Sequence, residues 1–180
     1  SELVAYAKAN PGKMNYGSAG LGDSTQLATE LFNLVTGIQM TGVNYKGIAP
    51  AQLDLVAGRI DLVVTTVASI KGTVTEKLPM LAITSAQRSP DIPNIPTVKE
   101  AGIDYGVDVW WGLFGPAGMP TDIRNRLNGL VRDALKDPEF LAFLKNAGAA
   151  PAHSTPEELT ALLRRDIDLW RKTVDAAGPN

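Results

Sequence analysis

The chain has 180 residues, 44% of them hydrophobic, which suits one ordinary domain or two small lobes with a real core. Its 17 Lys and Arg against 19 Asp and Glu leave a net charge of -2, without the basic face of a protein that neutralises nucleic-acid phosphates. The absence of cysteine excludes disulfides, thiolate nucleophiles and cysteine-held metals, and the single histidine, His153, argues against Ser-His-Asp chemistry and multi-His metal sites.

Ser1 to Ala9 reads as a helix with a Ser cap, stopped by Asn10-Pro11-Gly12. It has neither the basic n-region nor the apolar h-region of a signal peptide. Lys13 to Gly17 is a predicted strand, followed by the glycine-rich turn Ser18 to Asp23. Ser24 to Thr36 is a helix, with Leu27, Leu31, Leu34 and Val35 on one face and Gly37 as its stop. Gln39 to Tyr45 is a strand. Lys46 to Pro50 turns into a helix that runs to Ala57 and ends at Gly58, with Pro50 near its first position. Ile60 to Thr65 is apolar enough for a buried parallel strand. A short helix over Ala68 to Val74 and a strand over Met80 to Thr84 follow. This alternation of helix and strand predicts an α/β fold: a mainly parallel sheet with helices on both faces.

Pro90, Pro93 and Pro96 recur every third residue and predict an extended loop. Thr97 to Gly102 reads as one helical turn with a Thr cap. Val107 to Gly115 is a predicted strand in which Trp110 and Trp111 face opposite sides, one toward a core and one toward a cleft. Beyond it three helices are predicted: one capped by Thr121 and running through Leu135, one capped by Asp137-Pro138, and one started by Thr155-Pro156-Glu157-Glu158. The composition shift puts a boundary near Gly115. It separates an α/β ligand-binding lobe, residues 1–115, from a C-terminal helical segment, residues 116–180. No apolar run approaches the roughly 20 residues needed to cross a bilayer.

One constellation carries chemistry. Asn15 to Thr25 is a strand end, a Gly/Ser turn and a helix N-terminus, where free N–H groups and the helix dipole favour an anion. Its glycines follow G-x-x-G-x-G, not the G-x-G-x-x-G of a dinucleotide fold, and no Lys-Ser/Thr pair follows them. Asp23 would repel a polyphosphate and reads on its own as a helix cap. Spacing alone leaves two readings open: a tight packing turn, or an anion site. Tyr45-Lys46-Gly47 and Thr65-Thr66 follow two other strands, and ligands of open parallel sheets bind outside the carboxyl ends of the strands. That convergence favours the anion site. His153, in a polar loop, reads as solvated. No nucleophile–base pair, metal-ligand cluster or carboxylate pair with an assigned partner is found in the sequence, which favours a binding protein over an enzyme.

Several stretches, in order, resemble a known family: Asn10-Pro11-Gly12-Lys13-Met14-Asn15-Tyr16-Gly17-Ser18-Ala19-Gly20; Leu27 to Phe32; Val43-Asn44-Tyr45-Lys46-Gly47; Ala57 to Asp61; Leu81 to Thr84 with Arg88; Ile92 to Gly102; and Trp111 to Pro120. Together they resemble the solute receptors of tripartite tricarboxylate transporters, the TctC or Bug type of periplasmic binding protein. The resemblance implies one lobe of a type II-like, two-lobed flytrap, no cofactor, and a carboxylate held largely by backbone N–H groups. It implies a periplasmic location, with a small di- or tricarboxylate and membrane transporter subunits as partners. A non-transport sensor or interaction module with the same fold is the alternative.

Carried over by position, Ser18, Ala19 and Gly20 form the ligand loop with Asp23 and Ser24, while Tyr45, Thr65 and Thr66 line the cleft. Asp23 departs from the family's usual Ser or Thr, and Gln26 from its frequent His. The resemblance also implies that a preceding first lobe, on which the C-terminal helices pack, lies outside this sequence. Leu159, Leu163, Ile167 and Trp170 make a strip too apolar to stay wet, so either the tail folds back or two chains pair through these helices.

Overall fold

The computed structural model describes residues 2–70 and 78–178. The chain divides into two compact units, one of residues 1–109 with 170–180, the other of residues 110–169.

The first unit is built on a three-stranded parallel sheet: β1 (Met14–Ser18), β2 (Met40–Asn44) and β3 (Leu62–Val63), in the order β2-β1-β3. Around it lie α1 (Glu2–Ala9), α2 (Ser24–Thr36), α3 (Ile48–Val56) and the one-turn α4 (Val67–Ile70). Successive β1 residues face opposite sides. The Tyr16 hydroxyl donates to Glu30 of α2, whereas a Cβ on Gly17 would lie 3.0 Å from the Ala51 Cβ of α3. The two helices therefore cover opposite faces. Gly42, in register with Tyr16, leaves room for its ring; a Cβ there would come within 2.7 Å of the phenol oxygen. Met14, Tyr16, Ala28, Leu31, Phe32 and Ala51 form much of the buried core. Tyr105 joins it edge-on to Phe32, with ring centroids 5.6 Å apart, and donates to the Ala28 carbonyl at 2.9 Å.

The end signals of α2 match its bounds. Asp23 caps α2 through the Thr25 N–H at 2.8 Å, and Gly37 closes it at φ 65°. Predicted strands fared differently. Residues 60–65 pair in register only at Leu62–Val63, and residues 80–84 make an isolated bridge from Ile83 to Thr97 and one bond from the Val107 N–H to the Thr84 carbonyl. Val107 to Gly115 forms no strand. Apolar, β-branched sequence supplies extended backbone, but a ladder also needs a partner edge. Thr97 to Gly102 is a turn rather than a helix. It still carries the reciprocal capping bonds, Thr97 N–H to Glu100 Oε2 at 2.7 Å and Glu100 N–H to Thr97 Oγ1 at 3.0 Å. Arg88 grips the same carboxylate and the Pro93 carbonyl, which fixes the proline loop. The Ser1 cap and the second half of the helix predicted to Val74 lie outside the described residues.

The second unit holds α5 (Thr121–Ala134), α6 (Pro138–Asn146) and the greater part of α7 (Pro156–Ala177). Pro120, not Thr121, occupies the N-cap of α5, and no side chain caps it. Asp137 caps α6 through the Phe140 N–H at 2.9 Å, and Thr155 and Glu158 form the capping box of α7. His153 is exposed, within 3.2 Å of Asn128 Oδ1, and Asn128 donates to the Ser154 carbonyl. Trp110 is half-buried and donates to Asp166 at 2.7 Å, while Trp111 is 77% exposed. None of the described residues of 110–169 is buried. No helix among the described residues is long and apolar enough to cross a membrane.

Candidate functional site

Parallel pairing places the carboxyl ends of all three strands, at Ser18, Asn44 and Val63, on one edge of the first unit. Chain order reverses about β1, since the β1–β2 connection runs one way and the β2–β3 connection crosses back over β1. That is the switch-point geometry at which open parallel sheets take ligands.

The first two loops at this edge are tied together. The Tyr45 N–H donates to the Ser18 carbonyl at 3.0 Å and the Gly47 N–H to the Ala19 carbonyl at 2.8 Å, extending the β1–β2 ladder into the loops. Ser18 is fully buried, and its hydroxyl donates to Asn44 Oδ1 at 2.6 Å. It therefore anchors the loops rather than facing solvent. Ala19 gives its N–H to Thr25 Oγ1 at 2.9 Å. Gly20 accepts from the Asp23 N–H, closing a turn over Leu21 and Gly22. A Cβ on Gly20 would meet the Tyr45 carbonyl at 3.8 Å, so the two loops lie close. Among the described residues, the N–H groups of Gly20, Leu21 and Lys46 donate to no protein acceptor. The edge thus offers backbone donors held in place by buried partners, the polarity that suits a carboxylate.

The remaining predicted residues divide. Asp23 spends one carboxylate oxygen on the cap, and Ser24 opens α2 with its side chain exposed. The Tyr45 hydroxyl donates to Asp54 Oδ2 at 2.8 Å, so its backbone rather than its phenol serves the edge. Arg59 binds the other Asp54 oxygen at 2.7 Å. The Arg59 guanidinium first, then the Tyr45 hydroxyl, hold the Asp54 carboxyl below its ordinary range. Burial, then Asp54, push the Tyr45 phenol up. Thr65 Oγ1 lies 2.7 Å from Ser69 Oγ, and the Thr66 carbonyl accepts from Ser69, so both residues serve the start of α4. They share the edge through β3, but no hydrogen bond among the described residues ties them to the other two loops.

The sequence assigns no role to Asn44, and it marks Thr25 only as the end of the Gly/Ser constellation and Gln26 only as a departure from the family's His. Asn44 was detectable only through its register with Ser18, 26 residues earlier. Thr25 and Gln26 stand just after the Asp23 cap, where a polar side chain can reach back to the preceding loop. Among the described residues no group of three or more His, Asp or Glu could hold a metal ion.

The family model described as "Tripartite tricarboxylate transporter family receptor" matches residues 1–178. A curated relative from Pseudomonas sp. (strain P51), the UPF0065 protein in the tcbD-tcbE intergenic region, is 36% identical over 177 residues. The match covers 97% of this chain and 53% of that protein, so the chain spans about half the relative's length. An R. palustris protein solved with adipate is 34% identical with a TM-score of 0.81, covering 98% of this chain and 60% of that one. MatC from Rhodopseudomonas palustris, with bound malate, is 29% identical with a TM-score of 0.76, covering 96% and 60%. The fold is thus that of a periplasmic-binding-protein lobe, α/β with a parallel sheet flanked by helices. The chain belongs to the tripartite tricarboxylate transporter receptor family.

Proposed function

We propose that this chain supplies the ligand-binding lobe of a solute receptor for a small organic acid, a di- or tricarboxylate. The observation that carries the reading is the pair of cross-tied loops, 18–23 and 45–47, with outward-facing roles left to the Gly20, Leu21 and Lys46 N–H groups. The adipate and malate held by two family members support a carboxylate ligand. In this reading Ser18, Ala19 and Tyr45 position the loops, and Gly20 with its neighbours meets the ligand. Asp23, Ser24, Thr65 and Thr66 border it.

The same proposal assigns residues 1–115 to this lobe and residues 116–180 to a helical segment that packs on the family's other lobe. Ile123, Leu127 and Leu130 of α5 and Phe140 and Phe143 of α6, all exposed, supply the apolar surface for that packing. By the same reasoning the whole receptor works in the periplasm, hands its ligand to membrane transporter subunits, and performs no catalysis.

The test is a thermal-shift and calorimetric panel of adipate, malate, succinate and citrate. A family ligand near 100 times its Kd raises stability by about 2.7 kcal/mol, a shift of several degrees. Silence from both this chain and this chain joined to the rest of a family member overturns the reading. A mass that doubles with concentration would instead mean that two copies cover the α5–α6 surface.

A further inference from the structure

The turn from Gly20 to Asp23 has a defined polarity. Gly22 is its third residue at φ 72°, the signature of a type II turn, in which the central peptide takes the orientation opposite to that of type I. That central peptide joins Leu21 to Gly22. Its N–H donates to Gln26 Oε1 at 2.6 Å. Gln26 is 4% exposed, so this is a bond into the interior. In a planar trans peptide the C=O points opposite to the N–H. The Leu21 carbonyl is therefore turned away from Gln26, and among the described residues it accepts no hydrogen bond.

Glu30 follows Gln26 by one turn of α2. The Tyr16 hydroxyl donates to Glu30 Oε1, and Asn33 donates to Glu30 Oε2 at 3.2 Å. Burial, then Glu30, push the Tyr16 phenol far above its ordinary range. Gln26 thus turns its acceptor oxygen to the Gly22 N–H from a buried position on α2.

The surface consequence is a loop that mixes donors and acceptors. The N–H groups of Gly20 and Leu21 are free to take a carboxylate. Beside them stand the Leu21 carbonyl and the second Asp23 oxygen, since only Oδ1 is spent on the Thr25 N–H. We propose that Gln26 sets the specificity of this loop. By holding the Gly22 N–H inward it presents the Leu21 carbonyl, and so favours organic acids with a hydroxyl or ammonium next to the carboxylate over acids without one. The inference rests on the carboxylate-receptor reading and deepens it.

Titration calorimetry of the full 180-residue chain with malate and succinate tests it, because the two acids differ by one hydroxyl. Malate should bind about tenfold tighter, the worth of one hydrogen bond. Gln26→Met should bring the ratio near one and speed hydrogen exchange of the Gly22 amide at least about tenfold. Gly22→Ala reaches the same peptide without touching Gln26: its Cβ would meet nothing within 4 Å, so only the positive φ is penalised. It too should lose the preference. A merely structural Gln26 would weaken both acids alike and leave their ratio intact.

Equal binding by the wild-type chain, or a preference that survives both substitutions, overturns the proposal. Binding of neither acid, both by this chain and by this chain joined to the rest of a family member, overturns the receptor reading and the selectivity together. Gly22 exchange that is unchanged by Gln26→Met overturns the pinning of the peptide, whatever the ligand does.

Discussion

Tyr16, Thr29 and Ala51 are sealed from solvent in the first unit, whereas none of the described residues of 110–169 is buried. Yet the second unit has clear local signals of its own. Its helices carry an Asp cap, a capping box and Pro at the first turn. Caps and propensity make helices, and each such device contributes about 1 kcal/mol. What makes a core is opposed apolar surface. The first unit has it because β1 is sandwiched between α2 and α3. The second presents its stripe, Ile123, Leu127 and Leu130, outward.

The largest expected contrast comes from two phenylalanines. Phe32 is buried against Tyr105, and Phe32→Ala should cost about 3–4 kcal/mol of unfolding free energy in urea. Phe143 is 63% exposed, and Phe143→Ala in this chain should cost no more than about 0.5 kcal/mol. Similar losses at both positions would mean that residues 110–169 bury their apolar face in solution. When the chain is joined to the rest of a family member, the Phe143 cost should rise while the Phe32 cost stays.

Two glycines sharpen the contrast at a smaller scale. A Cβ at Gly17 would stand 2.6 Å from Ile60 Cδ1 and 3.0 Å from Ala51 Cβ, in the seam between β1 and α3. Gly17→Ala should cost about 2 kcal/mol by overpacking. Gly129 lies inside α5, where a Cβ meets only the end of Arg132, at 3.9 Å. Gly129→Ala should gain about 0.7 kcal/mol by helix propensity. Urea midpoints moving in opposite directions would confirm that one glycine is there for packing and the other is not.

The same contrast explains what could be read in the sequence. The bounds of α2 were legible because Asp23 and Gly37 act on their immediate neighbours. The strands at 80–84 and 107–115 were not, because extended propensity says nothing about which edge will pair. The ligand loop was legible as a Gly/Ser turn between β1 and α2, and its neighbour as Tyr45-Lys46-Gly47. The roles within it were not. Ser18, expected in the ligand loop, is sealed against Asn44, and Tyr45, expected to line the cleft, turns its phenol to Asp54. Each of those partners was assigned only when β1 and β2 came into register and α3 packed beside them.

Burial separates the two units, but acid should not. Carboxyls held below their ordinary range occur in both: Asp54 under Arg59 and Tyr45 in the first, Glu158 under the Thr155 N–H in the second. A carboxyl whose folded pKa is lowered contributes its full stabilisation above its ordinary value, 3.8 for Asp54 and 4.5 for Glu158. The contribution is lost as pH falls through the lowered folded value. Glu158 is exposed and Asp54 partly so, which makes the effect smaller than either contrast above. Thermal midpoints between roughly pH 5 and pH 2 should fall for the wild-type chain and fall less for Asp54→Asn and for Glu158→Gln. The two losses should add, because the pairs share no residue and sit in separate units. If either variant follows the wild-type curve throughout, its ion pair or cap contributes nothing in solution. If the double variant gains no more than one single variant, the two units titrate as one cooperative body, and the division between them is weaker than their interiors imply.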